Sequence, residues 1–164
     1  MSKFPPIAQL VPHGESMLQL ERLVDWAPGR AECTLRVVES SRFVVEGALE
    51  TVFLLEHMAQ AVAACLGYEA YRGGEGVRIG MLVSCREFRA QLPRIVVGAA
   101  LRIRVVRSRG NDTTSHFDCE VECDGTPVAT ATLTLVHGAA AGGTRSEARP
   151  GIRPGEPGCG DAAR

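Results

Sequence analysis

Thr51–Tyr71, TVFLLEHMAQAVAACLGYEAY, is the stretch that decides the fold. From Val52 to Leu66 it is apolar on every side except at Glu56, His57 and Gln60. Good helix formers dominate it (Leu54, Leu55, Met58, Ala59, Ala61, Ala63, Ala64) and no proline breaks it. A helix that is apolar all round is either a core helix or a membrane span. A span needs about 20 apolar residues. This run is shorter and carries a carboxylate near its start, so the reading is a helix buried inside a soluble fold. Thr51 is the expected N-cap, and Arg72-Gly73-Gly74-Glu75-Gly76 is the expected stop.

Outward from the helix the periodicity falls to two. Before it, Arg30 to Glu39 puts Cys33, Leu35 and Val37 on one face and Thr34 and Arg36 on the other. After it, Val77 to Gln91 is extended, and Pro93 closes it. Val97 to Arg109 alternates Leu101, Ile103 and Val105 with Arg102 and Arg104. In Ser115 to Cys123, Phe117, Cys119, Val121 and Cys123 oppose His116, Asp118, Glu120 and Glu122. Asp124-Gly125 signals a hairpin. Val128 to His137 sets Ala129, Ala131, Leu133 and Leu135 against Thr130, Thr132 and Thr134. His116 and His137 are expected to be solvated. Three prolines keep residues 1–12 irregular, and Met17 to Val24 is expected to make a short helical turn that leads into a strand. One long helix against a curved antiparallel sheet uses every segment. The class is α+β, because helices do not alternate with strands.

One domain is expected over residues 1–138. Residues 139–164, rich in Gly, Pro and Ala, cannot bury enough surface to offset ordering entropy and are expected to be a disordered tail. A net charge of -1 favours neither nucleic acid nor a membrane surface. Arg102, Arg104, Arg107 and Arg109 lack interleaved aromatics, which also argues against nucleic acid; a solvated strand face or an acidic carrier protein suits them better. No segment at the start has a signal peptide's apolar core, so the expected location is cytoplasmic. The six cysteines have no zinc-ligand spacing and read mostly as small buried hydrophobes. No metal or cofactor is expected, since no P-loop, GxGxxG or HExxH is present.

Four residues are candidates for chemistry. Glu56 is either a carboxylate drawn into the core, where it would serve as a general acid or base, or one at a partly exposed helix start, complementing the dipole. Gln60, one turn on, shares its face and either serves the chemistry, by orienting that carboxylate or hydrogen-bonding an acyl group, or satisfies a neighbouring backbone group. His13, in Pro12-His13-Gly14, is held on a stiff loop. His57 lies about 100° around the helix from Glu56 and points elsewhere. Ala59, Ala63 and Gly67 form a small-residue stripe suited to close approach of a sheet.

Two stretches carry a resemblance. Leu10–Val24, LVPHGESMLQLERLV, resembles the N-terminal "LLPHRxPxLLVDRV" segment of hotdog-fold β-hydroxyacyl-ACP dehydratases. Leu55–Ala61, LEHMAQA, resembles their central-helix "LxxExMAQ" motif, with Glu and Gln in matching positions. The element order agrees over about residues 8–137. One departure is clear. The family places a histidine in the loop before the helix, usually within "GHFPGxPxxPG", whereas Ser41–Glu50, SRFVVEGALE, has neither histidine nor proline. In keeping "PHxxxMxLLD" and "ExMAQ" without that histidine, the chain is most similar to the dehydratase-like subgroup of aryl-polyene clusters.

The resemblance implies dehydration of a 3-hydroxyacyl thioester on acyl carrier protein, in fatty acid, polyketide or aryl-polyene-type biosynthesis. It also implies a homodimer or paralogue heterodimer and no cofactor. Glu56 and His13 are the implied catalytic pair. Gln60, His57, Phe53 and Gly47 are the implied substrate-binding residues, the last two through helix N-terminal amides that would polarise the thioester carbonyl. Two alternatives stay open: an acyl-thioester hydrolase, and a non-catalytic acyl-binding or scaffold subunit of a heterodimeric dehydratase.

Overall fold

The computed structural model describes residues 3–77, 79–111 and 113–137. The tail expected at 139–164 lies outside them. The central helix α1 runs Leu54–Arg72 and is entered through a 3-10 turn, Thr51–Phe53. Thr51 does not cap the helix. Its hydroxyl donates to the Leu92 carbonyl at 2.7 Å and its amide to the Pro93 carbonyl at 3.1 Å, tying the helix start to the sheet. At the far end the Gly73 amide still reaches the Glu69 carbonyl, and Gly74 turns the chain away at φ 74°, which glycine adopts freely. With its entry turn α1 is long and apolar enough to cross a membrane, yet most of it is buried inside this fold.

The strands are β1 (Arg22–Ala27), β2 (Arg30–Arg36), β3 (Val44–Val45), β4 (Ala48–Glu50), β5 (Gly80–Ala90), β6 (Arg94–Val96), β7 (Ala100–Gly110), β8 (Thr114–Cys123) and β9 (Thr126–His137). Six form one antiparallel sheet in the order β1-β2-β7-β8-β9-β5. Alternation sets its two faces. In register, Cys33 lies opposite Ile103, Ile103 opposite Val121, and Val121 opposite Ala129, a buried row across four strands. Met58, Ala61, Val62 and Cys65 of α1 pack into the same core. Fully buried side chains such as Phe117, Ile103 and Leu133 each contribute roughly 1.5–3 kcal/mol.

On the outer face charges cancel. Arg102 pairs with Glu32, while Arg104 reaches Glu32, Glu120 and Glu122. Neighbouring strands thus neutralise Arg102 and Arg104 of the basic stripe, while Arg107 pairs with Glu69 of α1 at 2.7 Å. Asp124 (φ 47°) and Gly125 (φ 84°) make the expected two-residue hairpin between β8 and β9. Before α1, the stretch expected to be a loop holds β3 and β4, joined by the turn Glu46-Gly47, and β6 from beyond the helix completes a small second sheet, β3-β4-β6. At the N-terminus a 3-10 turn occupies Ile7–Gln9, within the region expected to be irregular. The turn around Met17 spans only Gly14 to Leu18, and Leu23 and Val24 already belong to β1. Strand β5 ends the large sheet, and Ile79, Met81 and Val83, at its start and just before it, stay 77%, 69% and 51% exposed: an apolar edge that nothing among the described residues covers.

Candidate active site

The site begins where two backbones meet. The carbonyl of Leu10 lies so close to Gly67 that a Cβ there would sit 1.8 Å from its oxygen. Glycine in the helix thus admits the N-terminal segment, which runs back along α1 towards its start. Leu10 and Val11 are buried beneath it. The small-residue stripe therefore receives this segment at Gly67 rather than the sheet, while Ala59 and Ala63 are left to line a cavity.

That course delivers His13 to Glu56, Nε2 to Oε1 at 3.6 Å. Of the two positions open to Glu56, the structure gives the partly exposed one: its side chain is 32% exposed and that of His13 25%. The Nδ1 of His13 is buried with no hydrogen-bond partner among the described residues. Gln60, fully buried, locks the carboxylate in place. Its Nε2 donates to Glu56 Oε1 at 2.9 Å and to the Met17 carbonyl at 2.8 Å, while its Oε1 accepts the Gln19 amide at 2.9 Å. The i+4 spacing predicts the first contact; the other two come from the N-terminal loop. Both readings of Gln60 are thus realised at once, since one amide orients Glu56 and satisfies two backbone groups.

The remaining expected site residues lie apart from this pair. His57 is buried, and its Nδ1 lies 2.6 Å from the Phe53 carbonyl, the geometry of an N–H donating to it. Its ring meets Phe43 edge-on and faces a separate depression of about 450 Å³, with Gln19, Arg36 and Arg42. Burial pushes its pKa below the usual histidine value. Phe53 stacks on Phe43 at 4.9 Å. Gly47 sits in the β3–β4 turn, and its carbonyl accepts the Val97 amide. None of the three lines the Glu56 cavity, and the Thr51 amide, expected near a thioester carbonyl, is already bonded to Pro93.

The cavity holds about 160 Å³ and is lined by Pro12, His13, Glu56, Ala59, Ala63, Leu66, Gly80, Leu82, Leu135 and His137. His137 corrects an expectation. It is not solvated but 5% exposed, and its Nε2 lies 2.9 Å from the hydroxyl of buried Ser115. The signal for this was in the alternation: 137 shares the parity of Ala129, Ala131, Leu133 and Leu135, and Ser115 that of Phe117, Cys119 and Val121. Both belong to the inward face. Among the described residues no group of three His, Cys, Asp or Glu side chains is placed to hold a metal ion.

A helix carboxylate facing an N-terminal histidine, inside an antiparallel sheet wrapped around that helix, defines a hotdog-fold protein of the dehydratase superfamily. The chain belongs to the ApeP-like family, described as ApeP dehydratase, whose sequence model matches residues 5–142. Among solved structures it is similar to the dehydratase heterocomplex ApeI:P from Xenorhabdus doucetiae, with a TM-score of 0.80 and 26% identity over 84% of this chain and 93% of that one. A hypothetical thioesterase with coenzyme A from Streptococcus pneumoniae shares the fold, with a TM-score of 0.57 and 17% identity over 73% of this chain and 86% of its own. So does the TT0310 protein from Thermus thermophilus, with a TM-score of 0.55 and 24% identity over 73% and 92%. No curated protein matches the chain significantly by sequence.

Proposed function

We propose that the protein dehydrates a 3-hydroxyacyl thioester carried on acyl carrier protein, as one half of a dimer with a paralogue. The observation that carries the reading is the Glu56–His13 pair, 3.6 Å apart at a cavity and oriented by Gln60. The two side chains share one transferable proton. One member takes the α-proton of the substrate while the other protonates the departing 3-hydroxyl. The C–O bond breaks, the α,β double bond forms, water leaves, and the pair's proton count is unchanged. A separation slightly beyond hydrogen-bond length suits an empty site that tightens around its substrate. No histidine stands in the loop before α1, and His13 of the N-terminal segment is the imidazole that reaches Glu56 among the described residues.

The paralogue rests on a separate observation. The apolar β5 edge, which no described residue covers, carries Ile79, Met81 and Val83, a surface suited to pairing with another sheet. A second reading, in which the chain supports an active partner without turning over substrate, draws on the same edge and on the histidine-free loop. Enoyl product from a 3-hydroxyacyl carrier substrate separates the two readings. Wild type with its paralogue is expected to form it, and Glu56→Gln or His13→Asn to lower the rate by about 10²–10⁴-fold. Full activity in both variants would leave only the supporting role. Release of free thiol without enoyl product would point to hydrolysis instead.

A further inference from the structure

We propose that His137, braced by Ser115, is the end wall of the acyl pocket and limits the length of chain it accepts. The inference rests on the dehydration reading only in taking the Glu56 cavity as the acyl site. The cavity's direction follows from the topology. Helix α1 starts beside Leu92 and Pro93, just past the end of β5. Strands β5 and β9 are antiparallel, with Ala90 opposite Ala129 and Gly80 opposite His137. Travelling along α1 from Glu56 towards Leu66 therefore means travelling along β9 towards His137. The middle of the path is apolar and partly small: Ala59, Ala63, Leu82 and Leu135.

The far wall is stiff. The His137 ring is held by the Ser115 hydroxyl at 2.9 Å, and its backbone amide donates to the Thr113 carbonyl at 2.9 Å. Ser115 is itself 2% exposed, so the brace lies inside the fold. The cavity that His137 bounds holds about 160 Å³.

The test uses full-length protein together with its paralogue and a series of acyl-pantetheine amides of increasing chain length, which bind without reacting. Calorimetry gives the affinity at each length. In wild type, affinity is expected to climb with length and then stop. In His137→Ala the optimum moves to a longer chain, and the ratio of long-chain to short-chain affinity rises about tenfold for two more buried methylenes. His137→Gln, which keeps a polar wall, retains the wild-type optimum. Should His137→Ala prove unstable, Ser115→Ala is read in its place, with the cut-off blurred in the same direction. A folded His137→Ala with the wild-type length profile, or with equal losses at every length, overturns the proposal while leaving dehydration standing. A shifted profile with no enoyl product from any chain overturns dehydration instead, and no acyl binding by wild type overturns both.

Discussion

Gly67→Ala is a sharp test of how the site is assembled. The new methyl would sit 1.8 Å from the Leu10 carbonyl oxygen, where contacts below 3.0 Å essentially never occur, so one backbone must retreat by about 1.2 Å. The helix cannot give way, because Met58, Ala61, Val62 and Cys65 are fully buried in the core. The N-terminal segment must lift instead and begin to uncover Leu10 and Val11. Overpacking of this kind costs about 1–3 kcal/mol. Alanine returns up to ~1 kcal/mol through helix propensity. The expected net loss is about 1–2 kcal/mol, a fall of about 2–8 °C in Tm for a domain of this size. The chemical effect is larger than the thermal one. His13 lies three residues from the displaced carbonyl, and a misplacement near 1 Å can cost about 10²-fold in rate. Thermal melting and enoyl formation are measured side by side, with Gly76→Ala, which meets nothing within 4 Å, as the control. A Gly67→Ala protein with raised Tm and undiminished turnover would refute the account of how His13 reaches Glu56.

Three further outcomes are expected. Gln60→Leu strands the Met17 carbonyl and the Gln19 amide, and should destabilise the protein by about 2–4 kcal/mol in urea melts while also lowering turnover; a neutral effect on both would contradict the clamp. His57 has its pKa lowered in the fold by burial, so the unfolded chain binds a proton first as pH drops. Stability is therefore full above the ordinary histidine value near 6.5 and is lost as pH falls through it towards the folded value; urea melts between pH 8 and 5 should show a shallower slope for His57→Gln than for wild type. The thiols of Cys33 and Cys65 are pushed up to about 12 by burial, so iodoacetamide at pH 8 should leave both unlabelled until urea is added, and labelling in the native protein would count against the packing.

Much of the fold was legible because strands with one wet face announce their period. Cys33, Leu35 and Val37, or Phe117, Cys119 and Val121, could be assigned inward from alternation alone, and Asp124-Gly125 named its own turn. The β3-β4-β6 sheet was not legible. Strands of two and three residues carry too few alternations to register, and their pairing depends on β6, far along the chain. At the site, the i+4 relation between Glu56 and Gln60 was readable because it is local. The approach of Leu10 to Gly67, which carries His13 to Glu56, depends on two segments more than fifty residues apart and leaves only a glycine as its mark. Thr51 followed the cap rule by type but not by role, since the sheet offered its hydroxyl nearer acceptors. His137 and Ser115 share the inward parity of their strands, so their polar type conceals a buried position.

The position of α1 in the order of elements has a consequence for synthesis on the ribosome. The helix is complete at Arg72, yet β7, β8 and β9, which bury one side of it, are finished only at His137. At about 5–20 residues per second, those 65 residues take about 3–13 s. At the start of that interval the apolar helix has only β1 and β2 of the large sheet to cover it, and until its end the cavity has neither Leu135 nor His137 to close it. A stalled or truncated nascent chain is thus a sticky species that chaperones must shield, and the Glu56 cavity comes into being only with the last strand.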